Sequence, residues 1–110
     1  MEIWKDIKGY EGLYQVSILG RIKSLRRNLI MKPQNHPEGY SIIKLSKKGE
    51  SKIKYIHILV AEHYLIKDDK NLVVNHKDGN KKNNSFSNLE WVTQSENIAH
   101  SFENGLKKKR

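Results

Sequence analysis

Three features of this sequence predict an α+β fold. Two stretches alternate apolar and polar residues on either side of a glycine turn. One run free of Gly and Pro spaces its apolar residues at helical intervals. The last third reads strand, loop, strand, capped helix. With 110 residues the chain is sized for one compact domain, or one small domain with an appended module. Apolar residues make up 36% and occur in short periodic runs, so full-length disorder is excluded.

The first hairpin pairs Leu13-Tyr14-Gln15-Val16-Ser17-Ile18 with Arg21-Ile22-Lys23-Ser24-Leu25. Leu19-Gly20 makes the turn, since Gly takes the positive φ a tight turn requires. A second hairpin joins Tyr40–Leu45 to Ser51–Ile56 through Lys47-Lys48-Gly49-Glu50. Its lysines alternate with Ile42, Ile53 and Tyr55, which suggests one apolar face and one cationic face. From 57 to 66 the apolar residues recur at three- and four-residue spacing, as in a short, largely buried helix. Leu72-Val73-Val74 reads as a strand that ends on Asn75 and His76. Residues 77–85 are turn formers without periodicity, and Leu89-Glu90-Trp91-Val92 is again a strand. Thr93-Gln94-Ser95-Glu96 has capping-box spacing and opens a helix expected to run from Gln94 to about Asn104, with Ile98 and Phe102 inward and Gly105 as its stop.

Charge narrows the partner class. Lys and Arg number 21 against 12 Asp and Glu, and the resulting +9 attracts polyanions, nucleic acid above all. The cations cluster at Arg21, Lys23, Arg26 and Arg27, and again on the second hairpin at Lys44, Lys52 and Lys54. These residues are expected to hold phosphates and to give binding a steep salt dependence. Without cysteine there is no disulfide framework, thiolate zinc site or cysteine nucleophile. The histidines His57, His63, His76 and His100 lack a persuasive zinc-ligand spacing. No apolar run approaches the ~20 residues that span a bilayer, and Met1-Glu2-Ile3-Trp4-Lys5-Asp6 lacks a secretory layout. A soluble, cytoplasmic protein with no membrane partner is expected.

The last third concentrates Asn and His. His76 closes one strand, Asn88 precedes the next, and Asn97 lies in the first turn of the capped helix, three residues before His100 and on the same face. A helix packed on the two strands could carry Asn97 over the strand end that holds His76.

Val74-Asn75-His76-Lys77-Asp78-Gly79-Asn80, Asn83-Asn84, Ser87-Asn88-Leu89-Glu90-Trp91-Val92-Thr93 and Glu96-Asn97 together resemble the HNH motif of phage and intron homing endonucleases, a ββα-metal (His-Me finger) fold. His57-Ile58-Leu59-Val60-Ala61-Glu62 is similar to the helix ahead of that motif. Trp4–Ser17, with Gly20-Arg21-Ile22-Lys23-Ser24-Leu25, is similar to the small nuclease-associated module that precedes it. The resemblance implies a DNA-contacting module at 1–36, an HNH core at 37–106 and a basic tail at 107–110. It also implies a phage or prophage origin in a bacterial host.

It further implies metal-dependent hydrolysis of DNA phosphodiester bonds, one active site nicking one strand. His76 would be the general base, as an imidazole with an ordinary pKa near ~6.5 accepts a proton at neutral pH. Asn88 would orient that ring, and Asn75 and Asn97 would be ligands to Mg²⁺ or Mn²⁺, hard cations suited to amide oxygens. Relatives often carry Asp where this chain has Asn75, so the ligand pair brings no formal charge and metal affinity without DNA is expected to be low. Asp78 is a candidate to compensate, and His100 a candidate second contact to phosphate. The partner is double-stranded DNA, and no small-molecule substrate is implied. Such nucleases usually continue into a further DNA-binding element, so here specificity is expected to be relaxed or supplied by a dimer or partner, with the oligomeric state open. Two competing readings remain at this point: a catalytically inactive DNA-binding module, and an RNA-binding protein of the translation machinery.

Overall fold

The structure, a computed structural model, describes residues 2–67 and 72–97. Four short strands open the chain as an antiparallel meander: β1 (Trp4–Asp6), β2 (Tyr14–Ser17), β3 (Ile22–Ser24) and β4 (Leu29–Met31). The register pairs Tyr14 with Ser24 and Val16 with Ile22, so the period-2 pleat sends these four to one face, and all four are buried. Gln15 and Lys23 take the other face. The turn from Ser17 to Arg21 uses Gly20 at φ +90°, the conformation expected of its glycine.

A second sheet follows, with β5 (Gln34–Asn35), β6 (Ser41–Lys47) and β7 (Glu50–Tyr55) in sequential antiparallel order. Lys47 pairs with Glu50 across a two-residue loop whose Lys48 and Gly49 both have positive φ, the signature of a type I′ hairpin. This register corrects the expected division into apolar and cationic faces. Lys52 and Lys54 stand opposite Leu45 and Ile43, on the face that carries the buried aliphatics, whereas Lys44 stands opposite Ile53 on the other. Alternation is counted along each strand, and the pairing register set by the turn decides which lysines share a side.

Helix α1 (Ile56–Tyr64) starts directly from β7 and packs against β2, β6, β7 and the two strands that follow. It buries Ile56, His57, Leu59, Val60 and Ala61. His63 ties it to the first sheet: Nδ1 donates to Leu59 O (2.7 Å), and Nε2 accepts from Lys8 N (2.9 Å). The Tyr64 hydroxyl adds a bond to Val16 O (2.7 Å). Strands β8 (Val73–His76) and β9 (Leu89–Val92) then form an antiparallel ribbon, and a 3-10 turn at Phe86–Asn88 leads into β9.

One core joins all of this. Ile7, Tyr14, Val16 and Ile22 of the N-terminal part pack with Ile43, Leu45, Ile56, Leu59, Val60 and Leu89 in a single buried cluster. Arg26 bridges the two large sheets by donating to Ser46 O (3.1 Å), and Tyr14 Oη accepts from Ser46 N (3.0 Å). Burying each such aliphatic side chain stabilises the fold by roughly 1.5–3 kcal/mol, and this shared cluster contains residues of both sheets and of the helix. After β9 the capping box forms as expected. Thr93 Oγ1 accepts from Glu96 N (3.2 Å) and Glu96 Oε1 from Thr93 N (2.9 Å), and the helical turn 94–97 closes with Asn97 N donating to Thr93 O (3.0 Å). The continuation of this helix with Ile98, His100 and Phe102, and the tail 107–110, lie outside the described residues. Among the described residues no helix is long and apolar enough to cross a membrane.

Candidate active site

The β8–β9 ribbon pairs Asn75 with Glu90 and His76 with Leu89. Between them, residues 77–88 return the chain through a loop clasped by its own side chains. Asp78 is the hub. Its carboxylate accepts from Asn80 N (2.8 Å), Asn83 Nδ2 (2.9 Å) and Asn88 Nδ2 (2.9 Å), and Asp78 N donates back to Asn88 Oδ1 (3.1 Å). Asn88 Nδ2 also reaches Asn83 O (2.9 Å). The bond from Asn83, with those from Asn80 and Asn88, holds the Asp78 carboxyl below the usual carboxylate range. Turn-forming Asn and Asp thus make the loop rigid by bonding their own backbone.

His76 sits where this loop meets the core, with 6% of its surface exposed. Its Nε2 lies 2.8 Å from Oδ1 of Asn84, itself buried. A carboxamide oxygen only accepts, so Nε2 carries the proton and Nδ1 keeps the lone pair. Among the described residues the side-chain nitrogens sealed from water without a partner are His57 Nδ1 and Trp91 Nε1. His76 Nδ1 is not one of them. Burial pushes the His76 pKa down, against an upward pull from the Asn84 bond, so the ring is neutral at pH 7.

These bonds correct the part expected of Asn88. Asn88 is buried beside the loop and bonded to Asp78 and Asn83, and Asn84 bonds the His76 ring in its place. The reason is that Asn88, at the end of the 3-10 turn just before β9, spends its carboxamide on Asp78 and Asn83 in closing the loop, while the buried Asn84 has its carboxamide oxygen on the imidazole. Asp78 is correspondingly bound within the loop.

The carboxylate close to the expected cation ligand is Glu90. Its Oε2 accepts from Asn75 Nδ2 (2.8 Å), which leaves the Asn75 carbonyl oxygen as the atom able to meet a cation. No group of three or more His, Cys, Asp or Glu placed to hold a metal ion occurs among the described residues. An amide oxygen with one adjoining carboxylate fits a hard, oxygen-seeking cation that keeps several waters or phosphate oxygens. Asn97 stands in the capped turn that follows β9.

Behind His76 lies a ring cluster that the sequence reading did not assemble. His57 is 5.0 Å from His76 and stacked on Tyr40 at 4.9 Å, and His36 and Tyr55 extend the group. Burial lowers the His57 pKa to about 4, with the neighbouring His76 as a lesser cause. Tyr40, the first residue of the expected second hairpin, carried no signal of proximity to residue 76.

The predicted phosphate contacts differ in availability. Arg21 is paired with the Glu2 carboxylate, its Nε donating to Oε2 (2.9 Å), and the bond drives Glu2 down to about 2. Lys23 lies over the Trp4 ring at 4.3 Å, and Arg26 is bound to Ser46 O. Arg27, Lys44 and Lys52 are exposed, and Lys54 is half-buried. Lys52 and Lys54 line an open groove with Lys8, Lys47 and Lys48 against the single acid Glu50, a cationic concentration spanning both sheets.

Comparison with known proteins agrees with this arrangement. Residues 2–46 match the NUMOD4 motif and residues 54–99 match HNH endonuclease. The DNA endonuclease I-HmuI of Bacillus phage SP01 is 47% identical over 102 residues, covering 93% of this chain and 59% of that protein. An uncharacterized HNH endonuclease of Acanthamoeba polyphaga mimivirus is 40% identical over 105 residues, 96% of this chain and 31% of its own length. A solved structure of DNA binding and cleavage by the HNH homing endonuclease I-HmuI superposes with a TM-score of 0.89 at 45% identity, over 97% of this chain and 62% of that one. The chain thus spans about a third to three fifths of the length of these relatives. With its strand–loop–strand site around His76 and both matches in order along the sequence, the chain belongs to the HNH endonuclease family and carries a NUMOD4 motif ahead of the HNH part.

Proposed function

We propose that this chain is a metal-dependent DNA endonuclease that hydrolyses phosphodiester bonds and nicks one strand per active site. The observation that carries this reading is the His76–Asn84 bond. It fixes the proton on Nε2 and leaves the Nδ1 lone pair of a neutral imidazole as the acceptor of the ring. Nδ1 takes a proton from a water as the water oxygen bonds to phosphorus, and the P–O bond to the leaving nucleotide breaks. Asn75 and Asn97 would hold a divalent cation, Mg²⁺ or Mn²⁺, with Glu90 supplying negative charge next to Asn75. When bound, the cation neutralises charge on the scissile phosphate and on the leaving oxygen. The lysine groove formed by Lys8, Lys47, Lys52 and Lys54 holds the duplex by its phosphates. Residues 1–36 serve as a DNA-contacting module and 37–106 as the nuclease core, working as one body through the shared hydrophobic cluster.

Supercoiled plasmid incubated with the purified protein and Mg²⁺ or Mn²⁺ tests the reading. The expected result is an open-circular product, lost in His76→Ala while duplex binding persists. Binding without nicking under any divalent cation would identify an inactive DNA-binding module instead.

A further inference from the structure

We propose that the β2–β3 turn of the N-terminal sheet is a positioning element of the nuclease site: Gly20 seats Asn84, and Asn84 sets the tautomer of His76. The proposal rests on His76 being the general base, and gives the N-terminal part a task besides contacting DNA.

The contact is unusually close. A Cβ at Gly20 would stand 2.8 Å from the Asn84 carbonyl oxygen, 2.9 Å from Asn84 Cβ and 3.0 Å from Asn84 C. Only a residue without a side chain lets this stretch of the loop come so near, and the atoms it would strike are backbone and Cβ, which cannot swing aside. Two residues on, Phe86 N donates to Ile18 O (2.9 Å), so the same turn holds the loop on both sides of Ser85. The turn itself is stiff. Ser17 is fully buried, its Oγ accepts from Leu19 N (3.1 Å) and Arg21 N (3.0 Å), and Gly20 N donates to Ser17 O (3.0 Å). The packed Cβ of Asn84 bears the carboxamide whose oxygen meets His76 Nε2 at 2.8 Å. A displacement of a few tenths of an ångström at the turn therefore moves the acceptor that distinguishes the two ring tautomers, and hydrogen bonds weaken steeply as their geometry opens.

Gly12 provides an internal control. It has φ +79°, close to the +90° of Gly20, yet a Cβ there meets nothing within 4 Å. Gly12→Ala thus reproduces the backbone strain without the contact. Phe86→Pro provides a milder perturbation of the turn–loop tie. It removes the N–H that bonds Ile18, at the first position of the 3-10 turn, after a Ser85 already extended at ψ 140°.

The experiment compares the full chain with these three variants by nicking rate, duplex affinity, thermal unfolding and ¹⁵N chemical shifts of the His76 ring at pH 8. Gly20→Ala is expected to bind duplex within about twofold of the parent, to nick roughly 10–100-fold more slowly, and to show His76 leaving the single Nε2–H tautomer. Phe86→Pro should move rate and tautomer in the same direction by less. Gly12→Ala should lose stability only. Equal loss of rate in Gly12→Ala and Gly20→Ala, or an unchanged tautomer in Phe86→Pro, overturns the proposal; the latter still decides if Gly20→Ala does not fold. Should the parent chain not nick at all, the nuclease reading fails, and the ring shifts alone then confirm or refute the role of the turn.

Discussion

The imidazoles of His57 and His76 lie 5.0 Å apart, with Tyr40 stacked on His57 at 4.9 Å. Nδ1 of the buried His57 is sealed from water and unpartnered, so protonating the ring places a poorly compensated charge in the core next to a second histidine.

This arrangement predicts acid sensitivity. Between pH 6.5 and about 4 the unfolded chain holds a proton on residue 57 that the folded chain does not, so stability rises with pH across that window. The contribution is complete above pH 6.5 and is lost as pH falls, by about 2 kcal/mol at pH 5, and the lowered His76 acts in the same direction. Urea unfolding at pH 7.5 and pH 5 measures it. His57→Phe, which keeps a ring without a titrating group, should flatten the dependence, and an equally steep profile in that variant would refute the assignment.

The two asparagines of the loop should separate by phenotype. Asn88→Ala breaks the reciprocal bonds with Asp78 and is expected to cost about 1–3 kcal/mol in stability. Asn84→Ala frees the His76 ring and should lower the nicking rate by roughly 10–100-fold while duplex affinity holds. Denaturation midpoints beside single-turnover rates check both; a reversed pattern would return the orienting role to Asn88.

Glu90 should appear in the metal titration. Glu90→Gln keeps a partner for Asn75 Nδ2 but removes the negative charge. The Mg²⁺ or Mn²⁺ concentration for half-maximal nicking is then expected to rise about tenfold, with the rate at saturating metal much less affected. An unmoved metal midpoint would show that the carboxylate serves only to hold Asn75.

Salt dependence distinguishes the cations. Replacing Lys52 and Lys54 with Gln should make the plot of log affinity against log salt shallower by about 0.9 for each phosphate contact removed. Arg21→Gln should change that slope less, because Arg21 is already neutralised by Glu2. Equal slopes for the two variants would place the duplex along the first sheet.

Both hairpins, the helix before the motif, the β8 and β9 segments and the Thr93–Glu96 cap were legible in the sequence, since each depends on spacing within a few neighbouring residues. The position of His76 at a strand end was legible for the same reason. The partner of its ring was not: Asn83, Asn84 and Asn88 are the same residue type in one loop, and spacing cannot tell which carboxamide the folded loop turns toward an imidazole.

Residue type and local periodicity determined the two hairpins, the helix before the motif and the final strand pair, though not the short strands β1, β4 and β5, together with the positive charge and the strand end that bears the candidate base. Tertiary structure alone decided the rest: Glu90 across from Asn75, His57 behind His76, Lys52 and Lys54 on the face of Leu45, and Gly20 against Asn84. The physical reason is that these pairings join parts of the chain separated by loops or by whole sheets. They are set by strand register and by the packing of one shared core, and neither leaves a periodic trace in the sequence.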